Sequence, residues 1–270
     1  MAGEPLHPPL VLEQREGGIL TLTLNRPAQY NALSEELLAA LAAALAGAAA
    51  DAGVRVVVIA GAGRAFCAGH DLRQIQAHAG PAQALRDDTA YHQWLFGEAA
   101  RLMAQLRALP QPVIARVHGV AAAAGCQLVA ACDLAVAAEE ARFATSGINV
   151  GLFCATPAVP LSRNVGQKMA FEMLVTGEFI DARTALVQGL VNRVVPAADL
   201  DAQIGQLAAS IVAKPPAVIA AGKALFYRQQ EMGVSAAYQL AVQSMACNLA
   251  DPAAQEGIAA FTEKRSPNWS

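Results

Sequence analysis

Ala65-Phe66-Cys67-Ala68-Gly69-His70-Asp71-Leu72 follows an apolar run, Val54 to Ala60 (VRVVVIA). A second stretch of the same kind, Ala121-Ala122-Ala123-Ala124-Gly125-Cys126-Gln127, follows Pro112 to His118 (PVIARVH). In both, a strand-like run leads into a small-residue turn that opens a helix. The first turn of a helix leaves backbone N–H groups without intrahelical partners. Two such turns side by side aim two N–H groups at one point. That is the geometry an acyl oxygen requires when it gains negative charge.

Outward from these turns, the chain reads as α/β. Leu10 to Arg15 and Ile19 to Leu24 flank Glu16-Gly17-Gly18 and form a hairpin. Leu20, Leu22 and Leu24 alternate with Thr21 and Thr23, as in a half-buried strand. Ser34 caps a helix to Ala50, with Glu35 and Glu36 where the helix dipole favours acids. Arg73 to Asp88 reads as an irregular excursion, and Tyr91 to Leu109 as a helix stopped by Pro110 and Pro112. Strands follow at Val113 to Val117, Leu134 to Ala137 and Arg142 to Ala144, with a short helix over Gly125 to Cys132. Gly147 to Pro160 is the least regular part, and Asn164 to Leu174 a helix ended by Gly177. Asp181 caps a helix that ends at Gly189, and Val191 to Val195 is a strand. Helices alone then follow, at 198–213, 216–230, 234–250 and 252–265. The expected organisation is an α/β core over 1–196 and a helical region over 197–270.

Composition narrows the function classes. The 270 residues are 55% hydrophobic, 15% charged and only 5% aromatic, so Ala, Val and Leu must build the core. Net charge is −3 with no basic stripe, which argues against a nucleic-acid partner. The five cysteines (Cys67, Cys126, Cys132, Cys154, Cys247) are odd in number and contain no C-x-x-C, so reduced, mostly buried thiols and a cytoplasmic location are expected. The stretch MAGEPLHPPL lacks the pattern of a secretory signal, and no apolar run is long enough to span a bilayer. No His, Asp, Glu or Cys group has metal-ligand spacing. A phosphate-binding G-x-x-x-x-G-K-[ST] is absent too.

Asn25-Arg26-Pro27…Asn31-Ala32-Leu33, Phe66 to Leu72, Pro112 to Ala115 with Gly119, Gly125-Cys126-Gln127-Leu128 and Cys132-Asp133-Leu134 resemble the crotonase (enoyl-CoA hydratase/isomerase) superfamily in order and spacing. Thr176-Gly177, Gly189-Leu190-Val191, Val195-Pro196 and Phe261…Lys264-Arg265 continue the match. The resemblance implies repeated ββα units wound into a spiral, and a C-terminal helical region that mediates homotrimers or hexamers. It implies an acyl-CoA thioester as ligand, with coenzyme A part of the substrate and no separate cofactor. The thioester oxygen would meet the N–H of His70 and the N–H of Ala124. Ala68, Asp71 and Leu72, with Arg26, Ala28 and Tyr30, match positions around the adenine and pantetheine, and Phe261 and Lys264 match positions at the nucleotide end.

The pattern departs from the family where a hydratase needs its two carboxylates. Those positions here are Gln127 and Gly147. Gln127 can orient water but cannot take its proton, and Gly147 has no side chain. Efficient hydration of a 2-enoyl-CoA is therefore not expected. Decarboxylation, isomerisation, thioester hydrolysis, a silent acyl-CoA-binding role and a hydratase with a base recruited elsewhere stay open. Cys154 reads first as a small pocket-lining residue, and as an acid or nucleophile only if its pKa were lowered. The His70 imidazole is expected to point away from the pocket. Asp71 is expected to hold backbone N–H groups of its turn. His118 reads as a satisfied structural histidine, and His92, Glu98, Glu139 and Glu140 as solvated.

Overall fold

The computed structural model describes residues 8–79 and 88–269. Strands β1 (Val11–Glu16) and β2 (Ile19–Leu24) form the expected hairpin, turned by Gly17 and Gly18 at φ of 54° and 83°. Helix α1 (Glu35–Ala50) follows, and Ser34 accepts the Leu37 N–H at its N-terminus. Strands β3 (Val56–Gly61), β4 (Val113–Val117), β6 (Leu134–Ala138) and β9 (Arg193–Val195) extend the hairpin in parallel, in the order β1-β2-β3-β4-β6-β9. A second sheet orders β5 (Val120–Ala122), β7 (Arg142–Ala144) and β8 (Ile180–Asp181). The chain gives β4 to the first sheet, β5 to the second and then helix α4 (Ala124–Ala131). It repeats the move with β6 and β7, followed by α5 (Ala155–Asn164) and α6 (Gln167–Thr176). This is the crotonase-type ββα spiral.

Alternation along the strands decides the layers. Leu20, Leu22, Leu24, Val57 and Ile59 bury into the larger core with α1 and α3 (Thr89–Ala108). Val56, Val58, Ile114 and Val136 face the other way, against Leu200, Ile204 and Ala208 of α8 (Leu200–Val212). Helix α9 (Pro216–Gln229) is tied down by Lys223. Its ammonium donates to the carbonyls of Leu106 and Gln111 at 2.8 and 2.9 Å and to Asp133 at 2.6 Å. Removing an ion from water is unfavourable unless its donors are all used, as they are here. Helices α10 (Val234–Leu249) and α11 (Pro252–Thr262) complete the chain.

Two stretches differ from the sequence reading. The expected excursion Arg73 to Asp88 begins as helix α2 (Leu72–Ala79), and residues 80–87 lie outside the described residues. The Asp71 side chain starts α2 by accepting the N–H groups of Arg73 and Gln74 at 3.1 and 3.3 Å. The irregular part contains helix α5. Pro157 sits in its first turn, where no internal N–H is lost, and Pro160 costs one bond. The helix expected from Asn164 begins instead at Gln167, after a break at Gly166, and Asn164 ends α5. Among the described residues no single helix is long and apolar enough to cross a membrane.

Candidate active site

The two small-residue turns interlock. Cys67 N–H donates to Val120 O at 3.1 Å, and Ala122 N–H to Cys67 O at 2.9 Å. A Cβ at Gly125 would lie 2.1 Å from Cys67 O, and one at Gly69 would lie 2.9 Å from the Ala123 Cβ. Only glycine admits these approaches. Asn31, fully buried, pins the first turn: its amide donates to Ala62 O and Ala65 O at 2.9 and 2.8 Å, and its carbonyl accepts the Arg26 N–H. Leu33 N–H donates to Gly69 O at 2.7 Å, and Asp71 N–H to Leu33 O at 3.1 Å. These bonds take the residues on either side of His70 and leave the N–H of His70 free of backbone partners. The N–H of Ala124, the first of α4, is likewise without a partner among the described residues. Ala123 before it holds φ 48° and ψ −117°, a strained conformation for a residue with a Cβ.

Both residues line one cavity of about 230 Å³. Its other walls are Leu72 and Ile75 of α2, Phe96 of α3, and the segment 146–157 with Val150, Leu152, Phe153 and Cys154. His70 is among the residues that line the cavity, and its ring stands edge-on to Phe96, another of them, at 5.3 Å, with both ring nitrogens buried and without a hydrogen-bond partner among the described residues. Burial pushes its pKa down to about 4, so the ring is neutral at pH 7. Cys154 borders the cavity and is buried, which raises its pKa and keeps it a thiol. Its sulfur accepts the Gly147 N–H at 3.3 Å.

Gly147 is more than an unoccupied position. A Cβ there would lie 2.6 Å from Leu152 O and 2.7 Å from the Cys154 sulfur. The loop has closed over the place from which a side chain would grow. Gln127 is buried, with its Oε1 without a partner among the described residues.

The comparisons with known proteins agree with this architecture. The family model "Enoyl-CoA hydratase/isomerase" matches residues 14–270. The chain belongs to the enoyl-CoA hydratase/isomerase family. The enoyl-CoA hydratase domain-containing protein 3, mitochondrial, of Xenopus laevis is 45% identical over 264 residues, spanning 98% of this chain and 87% of the relative. A crystal structure of a Mycobacterium smegmatis enoyl-CoA hydratase superposes with a TM-score of 0.92 at 57% identity, covering 97% of this chain and 99% of that one. The human enoyl-CoA hydratase domain-containing protein 3 gives 0.90 at 42% identity, covering 96% and 100%. Members of this lyase/isomerase-type family act on acyl-CoA thioesters.

Of the family-matched positions, the structure brings His70, Ala124, Ala68, Leu72 and Cys154 to one cavity. Arg26 and Asp71 are engaged with each other at 2.8 Å, and Arg26 also donates to Ala32 O, so this pair braces the turn. Ala28 and Tyr30 are exposed on a short 3-10 turn, Pro27–Gln29 and the residue after it, with the Arg64 guanidinium 4.3 Å over the Tyr30 ring. Phe261 and Lys264 are exposed near the end of α11, outside the cavity lining. His118 is satisfied by Gly63 O at 2.8 Å, Glu98 pairs with Arg101, and Glu139 and Glu140 are exposed. Sequence reasoning missed Ile75 and Phe96. The spacing Leu72-x-x-Ile75 was the available signal for the first, and the run of Tyr91, Leu95 and Ala99 into the core fixes the face that leaves Phe96 to the cavity.

Proposed function

We propose that this protein binds acyl-CoA thioesters with the thioester oxygen between the N–H of His70 and the N–H of Ala124, and stabilises the enolate formed there. The observation that carries the reading is the pair of unpartnered N–H groups on the wall of an apolar cavity. Preorganised donors in such a site are each worth on the order of 10²–10³ in rate. Among the described residues, those lining the cavity offer no good base: the His70 ring resists protonation and Cys154 is held as a thiol. Loss of a 2-carboxylate as carbon dioxide generates the enolate without a base, so decarboxylation of a 2-carboxyacyl-CoA is the reaction class we assign. Coenzyme A arrives as part of the substrate, and no separate cofactor enters the step. Hydration is disfavoured because Gln127 cannot take a proton from water and position 147 has no room for a carboxylate.

Calorimetric titration with crotonyl-CoA, followed by the absorbance of its conjugated enone, tests this reading. Binding without loss of absorbance, together with carbon dioxide release from malonyl-CoA or 2-methylmalonyl-CoA, is expected. Rapid loss of absorbance would overturn the reaction class, and absence of binding would overturn the site.

A homotrimer or hexamer fits the C-terminal surface. Val234, Tyr238, Val242, Met245 and Leu249 recur along one stripe of α10, each more than half exposed. Phe261 and Lys264 would then meet the nucleotide end of coenzyme A bound to the same or a neighbouring copy. A monomer in light scattering would overturn the assembly. The free cysteines, four of them buried, fit a reducing compartment such as the cytoplasm.

A further inference from the structure

An enolate left by decarboxylation must take a proton at C2, and among the described residues the cavity wall holds one group suited to give it. We propose that the Cys154 thiol is the proton donor that quenches the enolate. This rests on the decarboxylase reading above. The cavity is marked as a ligand site independently of the cysteine, by the two unpartnered N–H groups and by both ring nitrogens of His70, which are buried without a partner.

Three observations select Cys154. First, Cys154 lines the same cavity as His70 and Ala124. Second, its one hydrogen bond among the described residues is accepted, from the Gly147 N–H at 3.3 Å. That bond occupies a sulfur lone pair and leaves the S–H without a protein acceptor. Third, Gly147 and the Leu152 carbonyl pack against the loop so closely that the sulfur stands 2.7 Å from where a Cβ at position 147 would be. The thiol is held there by backbone. The other protic groups on the wall, the hydroxyls of Ser146 and Thr156 and the neutral imidazole of His70, are far weaker acids than a thiol. Burial keeps the proton on the sulfur until a stronger base appears, and a thioester enolate is a much stronger base than a thiolate.

The step balances without a co-reactant. The bond from C2 to the carboxylate breaks, carbon dioxide leaves, and the electron pair moves into the thioester to give the enolate. C2 then takes the proton of the Cys154 S–H, forming the C2–H bond and a thiolate. Water at the cavity mouth returns a proton to the sulfur.

The test uses 2-methylmalonyl-CoA in D2O, because its decarboxylation makes C2 stereogenic in the deuterated product. The whole protein is expected to give one configuration. In Cys154→Ala, turnover is expected to fall, by up to on the order of 10² where protonation is limiting, and the C2 configuration to be scrambled by solvent. Cys154→Ser, which keeps a weaker donor in place, is expected to retain part of the configuration. An unchanged configuration in Cys154→Ala would overturn the donor role and leave the decarboxylase reading standing. A scrambled product from the unaltered protein would do the same. No carbon dioxide from any 2-carboxyacyl-CoA would overturn that reading and the donor role with it.

Discussion

The turn pair at His70 and Ala124 and the loop from Gly147 to Cys154 wall the same cavity, yet they are built differently. Around the turns nearly every backbone group is committed: Ala68 N–H to Tyr30 O, Leu33 N–H to Gly69 O, Asp71 N–H to Leu33 O, Ala123 N–H to Ala144 O. The loop has fewer ties, with Leu152 N–H on Gly147 O, Gly151 N–H on Ile148 O and the Gly147 N–H on a sulfur. It also exposes Val150, Leu152 and Phe153. Backbone donors that must point at one atom need an over-determined frame. A wall that supplies shape and a single proton does not. In the function proposed above, the two N–H donors therefore sit in the closely bonded part and the proton donor in the other.

Substitutions can break this contrast, and Gly125→Ala is expected to do the most damage. Its methyl would lie 2.1 Å from the Cys67 carbonyl oxygen, where backbone cannot yield. A loss of more than about 4 kcal/mol, or no folded protein at all, is expected in denaturant titration. Ala124→Pro deletes one N–H at a first helical position, but the residue before it, Ala123, holds φ 48° and ψ −117°, outside the extended region that a residue preceding proline favours. Turnover is expected to drop on the order of 10²–10³, with a loss of stability beside it in denaturant titration.

His70 sharpens the contrast through pH. Its pKa falls from 6.5 to about 4 on folding, so the unfolded chain binds the proton more readily. The group has no effect on stability above about pH 7. As the pH drops from 6.5 toward 4, the folded state loses roughly 3 kcal/mol to this residue. His70→Phe is expected to flatten that part of the stability–pH curve; an unchanged slope would show that the ring is solvated.

Gly147→Ala probes the loop. Its methyl would lie 2.6 Å from Leu152 O and 2.7 Å from the Cys154 sulfur. A cost of about 2 kcal/mol is expected, smaller than at Gly125 because a less firmly tied loop can shift. Ala123→Gly has the smallest expected effect. It relieves a φ of 48° and should raise stability by about 1 kcal/mol, read as a higher thermal midpoint.

Much of the fold was legible because its signals are local. Ser34, Asp181, Gly177 and Gly189 mark helix ends by capping chemistry, and the structure has them there. The alternation Leu20, Leu22, Leu24 fixes a strand face whatever lies beyond it. Helices α2 and α5 were less legible. The first is short and mostly polar, with Ile75 its one cavity contact beyond Leu72, and the second carries Pro157 and Pro160. Each owes its place to neighbours distant in sequence.

The same division holds at the site. The sequence by itself determined that two strand-to-helix turns of small residues exist, and that positions 127 and 147 carry a neutral amide and no side chain. Each of these follows from residue type and spacing. Tertiary structure alone decided that the His70 ring is buried against Phe96, neutral and without a hydrogen-bond partner among the described residues, that Arg26 is spent on Asp71, and that the Leu152 carbonyl and the Cys154 sulfur fill the space beside Gly147. Those outcomes depend on which groups are excluded from water and which backbones approach within a van der Waals radius, and both are set by contacts between segments far apart in the chain.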